Sequence, residues 1–193
     1  MVAQAEWVAA AMMKLEVEKH GIAAVDEDDM SAAYPVARVL TSTVSAMAEP
    51  NIGGSTRVLV EVLRRFGGIA PRALLGAEFL AGNDPAVHIE IAVAPFDLLD
   101  GADQPTCPSR LWTRPFTSGL PTDMADAVLR GLTAEPRIAL PPGVLRVDRA
   151  GFDVMNSSEP IFTQAATVLG IAISAKLLGN DPEPALRDAI QTW

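Results

Sequence analysis

The chain has 193 residues, 24 Asp and Glu against 15 Lys and Arg, a formal net charge of -9 and 49% hydrophobic residues, enough apolar surface for a core and too much for wholesale disorder. One cysteine, Cys107, and two histidines, His20 and His88, exclude an internal disulfide framework and a multi-cysteine metal cluster, so no metal or cofactor is expected. The acidic balance without clustered Lys or Arg argues against nucleic-acid or anionic-membrane partners, because neutralising phosphate needs such clusters.

From the N-terminus, Val8, Ala11, Met12 and Leu15 recur at helical spacing before Gly21, which predicts an amphipathic helix from residue 3 to about 20. The run Asp26-Glu27-Asp28-Asp29 reads as a solvated lead-in to a second helix, whose stripe is Val36, Val39, Leu40, Val44 and Met47. Ser55 is placed to cap a third, carrying Val58, Leu59, Val62, Leu63 and Phe66 and closed by Gly67-Gly68. An all-helical segment over residues 1–70 is therefore expected. It is followed by an α+β domain over 71–193.

In that second part Ala73–Leu80 and Val87–Phe96 are short apolar runs joined by turn formers, which predicts two paired antiparallel strands. His88 and Glu90 fall on the more polar face of the second strand, while Ile89, Ile91 and Val93 fall on the other. Residues 97–109 read as loop, with a short strand near Leu111-Trp112. Pro121-Thr122 opens a helix through Met124, Val128 and Leu132. Val144–Val154 alternates as a hairpin or bent strand. Ser157-Ser158-Glu159-Pro160 then starts a long apolar helix ending at Gly179, and a last helix spans about 183–192.

Three segments resemble, in order, the fourth domain of elongation factor G and of the tetracycline-resistance ribosomal protection proteins. They are His88-Ile89-x-Ile91-x-x-x-Pro95-Phe96, then Pro121 with Ala127-Val128 and Gly131-Leu132, then Ser157-Ser158-Glu159-x-x-Phe162-x-x-Ala165-Ala166. The resemblance covers about residues 73–178. It implies a left-handed β-α-β fold shared with small-subunit ribosomal proteins, with an antiparallel-rich sheet of about four strands and helices on one face. In that family two tip loops reach ribosomal RNA; here the corresponding stretches are Gly82-Asn83-Asp84-Pro85 and Gly151-Phe152-Asp153-Val154-Met155-Asn156, which offer no cations. No phosphate-binding Gly-x4-Gly-Lys-Ser/Thr loop is present, which excludes a GTPase engine and translocation.

Glu78-x-Leu80-x-Gly82 followed by His88-Ile89-Glu90-Ile91 is also similar to formaldehyde-activating enzyme. Two functions are thus expected as alternatives. The first is a stand-alone, non-catalytic binding or assembly protein using the tip loops and polar sheet face, with Asn83, Asp84, Glu90, Asp153 and Asn156 as binding residues. The second is a small-molecule enzyme with His88 as general acid/base. A pairing of Cys107 with His88 is the weaker catalytic combination. Homo-oligomerisation through the N-terminal helices and a cytoplasmic location complete the expectations, the latter because no signal peptide or long apolar span is evident.

Overall fold

The computed structural model describes residues 12–27, 30–47, 54–64, 68–101 and 103–193. Nine strands among them form one sheet: β1 (Met13–Val17), β2 (Gly21–Asp26), β3 (Arg38–Ser45), β4 (Ser55–Leu63), β5 (Arg72–Ala81), β6 (Ala86–Val93), β7 (Thr106–Cys107), β8 (Phe116–Ser118) and β9 (Gly143–Phe152). Three helices complete it: α1 (Ala125–Thr133), α2 (Glu159–Leu178) and α3 (Glu183–Gln191). The main path runs β1-β2-β4-β5-β9-β6-β3, and every pairing is antiparallel except β6 with β9.

This architecture corrects the expected one in three respects. The described part of residues 1–70 is strand rather than helix, and the sheet has nine strands rather than about four. The reason lies in how the apolar residues alternate. In β4, Val58, Val60 and Val62 face the helices while Leu59 and Leu63 occupy the opposite side, so a strand covered on both faces reads as a continuous apolar run that a helical stripe also fits. In β3 the sequence Val-Leu-Thr-Ser-Thr-Val-Ser is β-branched and alternates between half-buried and exposed positions. The predicted helical residues Val8 and Ala11, and Phe66 of the third stripe, lie outside the described residues.

The third correction concerns pairing. β5 and β6 are the expected strands, joined across residues 82–85, yet they do not pair with each other. β9 lies between them, antiparallel to β5 (Phe79 opposite Leu145) and parallel to β6 (Ile89 opposite Leu145). The register slips between Gly76 and Ala77, leaving Asp148 as an extra residue between Val147 and Arg149. Past Ile91, β6 diverges, and β9 is flanked instead by Ala33, opposite Arg149, and by β8, with Thr117 opposite Phe152. Leu111-Trp112, expected as strand, is loop.

All three helices cover one face of the sheet. α2 lies across β4 and β5, with Phe162, Ala165, Ala166 and Leu169 fully buried. Its composition and 20-residue length would suit a membrane span, but 67% of its most apolar window is buried within this fold, the place of a core helix. α1 crosses α2 at Gly131, where an added Cβ would collide with the carbonyl oxygen of Thr163. Ser158 holds the N-cap position without a side-chain capping bond, and Gly179 ends the helix at φ 67°. Leu186, Ala189 and Ile190 of α3 are buried in the same core.

Candidate functional site

No described helix lies on the opposite face, which divides into two halves. Over the far end of β4, β5 and β9 lies the 105–118 segment, sealing a small cluster of Ala32, Leu59, Leu74, Cys107 and Phe116. Arg72, 1% exposed, fastens that segment. Its Nε donates to Asp153 Oδ2 at 2.9 Å, its terminal nitrogens donate to the carbonyls of Arg114 (2.7 Å) and Pro115 (2.8 Å), and its guanidinium stacks on Phe116 and Trp112 at 4.2 and 4.9 Å. Beside it, buried Glu61 accepts bonds from Ser109 Oγ (2.6 Å) and from the backbone N–H groups of Arg110 and Leu111. Burial raises the Glu61 carboxyl despite these donors, and burial also raises the Cys107 thiol. A protonated thiol in an apolar cluster is a packing group rather than a nucleophile.

The other half, over the starts of β6 and β9, is open. Across it the registers align Arg57, Glu78, Arg146, Glu90 and Thr41 in one row, with alternating charge over four strands. Arg146 Nε sits 2.8 Å from Glu90 Oε2, and that bond raises the already high arginine pKa. The next row aligns Leu80, Val144, His88 and Thr43. His88 places Nε2 2.8 Å from Asp84 Oδ2 and Nδ1 3.2 Å from Thr43 Oγ1; the imidazole and carboxylate side chains are 41% and 58% exposed.

The residues singled out in the sequence thus separate into two groups. Asn83, Asp84, His88 and Glu90 lie together at the exposed turn after β5 and on the first residues of β6. Asp153 and Asn156 lie beyond the far end of β9, separated from the first group by the run Val144–Phe152, about 26 Å at roughly 3.3 Å per residue. There Asn156 Nδ2 donates to Asp153 Oδ2 at 3.1 Å. Burial pushes the Asp153 carboxyl up, but the bonds from Asn156, Arg72 and the Met155 backbone outweigh it and leave the carboxyl below its ordinary value. Asp153 and Asn156 therefore serve the Arg72 anchor and form no common surface with His88. Cys107, packed beside Gly151, is likewise at the opposite end of β9 from His88, so the two do not form a catalytic pair.

The sequence reading missed Arg146, Thr41 and Thr43, because their relation to His88 and Glu90 exists only through cross-strand register. Glu61 did carry a signal: it is the lone acidic residue inside the apolar run Val58–Leu63. Among the described residues no three His, Cys, Asp or Glu side chains converge as a metal site. An apolar cavity lies between Met13, Val25, Val58 and Ala172, with the Lys176–Glu27 pair (3.3 Å) at its rim, and a second cavity adjoins Ser157, Ser158 and Arg130. Neither is lined by His88. Comparison with known protein families, with characterised proteins and with solved structures finds no match to this chain.

Proposed function

We propose that this chain is a non-catalytic binding or assembly protein, neither a GTPase nor a translocase, that presents the open half of its sheet to a partner. The supporting observation is the charged row of Arg57, Glu78, Arg146 and Glu90, with His88 and Thr43 beside it, on the face of the sheet opposite the three helices. Alternating charges arranged by strand register make a rigid surface that favours a partner of complementary mixed charge. A cytoplasmic location belongs to the same proposal.

One observation favours the enzymatic alternative, the Asp84–His88 contact of 2.8 Å, since a carboxylate that orients an imidazole is a common general-base arrangement. Against it stands the setting. Both ring nitrogens are engaged, by Asp84 and Thr43, and among the described residues the pair sits on an open surface with no enclosing wall to exclude water. A thermal-shift screen of metabolites on wild type and His88→Ala separates the readings. The binding reading predicts no small-molecule stabilisation that depends on His88. A ligand at 100 times its dissociation constant adds about 2.7 kcal/mol, and a hit of that size abolished in His88→Ala would replace this reading with the enzymatic one.

A further inference from the structure

The two edges of the sheet are protected very differently. β1 is only five residues long, alternates exposed Lys14 and Glu16 with buried residues, and has α3 beside it. β3 has eight residues, no proline, no lysine and a single charge, Arg38, at its first position. It pairs with β6 on one side, and no described strand pairs with the other. A long strand with an unguarded row of N–H and C=O groups is a template for another strand.

We infer that a second copy of this chain occupies that edge, β3 pairing antiparallel with β3 about a two-fold axis at Ser42. Two features of the strand favour this occupant and register. First, side chains directly opposite in an antiparallel pair share a face, and centring on Ser42 sets Leu40 against Val44 of the second copy on the helix side and Thr41 against Thr43 on the open side. Second, Arg38 then faces Ala46 of the second copy, and the two Arg38 side chains lie at opposite ends of the ribbon, so no like charges meet.

The pairing also extends the open face. Thr41 continues the Arg146–Glu90 row, and Thr43 of the second copy continues the row of its own His88. Across the junction, Glu90 of one copy and His88 of the other therefore belong to a single cross-strand line. The inference goes beyond the proposed function, because the dimer forms whether or not that face has a ligand.

The test uses the full chain. Sedimentation equilibrium should give about twice the chain mass for wild type. Ser42→Lys, which sets two lysines face to face on the axis, should return the mass to that of one chain. Should that variant fail to fold, Ser42→Cys decides. Residues opposite on the axis have Cα atoms about 4.5–5.5 Å apart, within disulfide reach, and the native Cys107 is buried, so mild oxidation should give a covalent dimer. Ser45→Cys, whose two copies would stand about 20 Å apart at roughly 3.3 Å per residue, should not crosslink. A single-chain mass for wild type at all concentrations, a dimer that a folded Ser42→Lys leaves intact, or equal crosslinking at residues 42 and 45 would each overturn the inference.

Discussion

Arg72 is the residue on which most of the loop-covered face depends. Its charge is removed from water, and the compensation comes from one carboxylate, two carbonyls and two aromatic rings at once. Arg72→Ala strands the Asp153 carboxylate and frees the 105–118 segment, so chemical denaturation should show a loss of about 3–5 kcal/mol. Arg72→Lys keeps the charge but not the planar fork, and should recover only part of that loss. The two nearby acids act on stability with opposite sign. Glu61 has a native pKa raised above 4.5, so its contribution is full below that value and is lost as pH climbs through the raised one. Asp153 has a native pKa below 3.8, so its contribution is full above that value and is lost as pH falls through the lowered one. Denaturation midpoints measured against pH should lose the first dependence in Glu61→Gln and the second in Asp153→Asn. By contrast, the exposed Arg146–Glu90 pair should be worth about 0.2–1 kcal/mol in a double-mutant cycle.

Among the elements, the α1–α2 crossing is the most tightly specified. Gly131 lets the two helices approach until Thr163 Oγ1 donates to the Ala127 carbonyl at 3.1 Å and Thr167 Oγ1 to that of Gly131 at 3.2 Å. Gly131→Ala forces the helices apart and should cost about 1–3 kcal/mol by chemical denaturation, with both threonine bonds lost. This element was legible in the sequence. Phe162, Ala165, Ala166 and Leu169 mark the buried side of α2, and Gly179 marks its end. β5 and β6 were legible too, as short apolar runs between turn formers, and Val144–Val154 was legible as strand from its alternation, though as a hairpin or bent strand where β9 is a single strand. β3 and β4 were not, because the positions of Leu40 and Val44, or of Val58 and Val62, four residues apart, satisfy both a helical stripe and alternate positions of a strand. Only the hydroxyl-rich, β-branched stretch Thr41–Ser45 pointed toward strand. The candidate site was half legible for a related reason. Asp84 and His88 are close in sequence, whereas Arg146 reaches Glu90 only after β9 has entered between β5 and β6.

At the scale of the whole molecule, the C-terminal residues close the structure on its β1 side. Trp193 packs over Gly21, where a Cβ would come within 2.9 Å of the indole, and its carbonyl oxygen lies 3.3 Å from His20 Nδ1. Removing residues 180–193 uncovers the positions filled by Leu186 and Ile190, and hydrogen exchange should then accelerate in β1 and β2 before it does in β5 or β9.

The strand at the middle of the sheet is the last one made. Until residue 152 has left the ribosome, β1, β2, β4 and β5 can assemble on one side and β3 with β6 on the other, with a slot one strand wide between them. The nascent chain then carries two unfinished half-sheets whose inner borders, β5 and β6, lack their partner, and β9 acts as the keystone that joins them. Such a topology defers its longest-range contacts to the end of synthesis, which favours slow folding and exposure to aggregation in the interval. It also makes the chain divisible. A fragment ending in the 134–142 connection, mixed with a separate piece beginning at Gly143, should rebuild the sheet by insertion of β9.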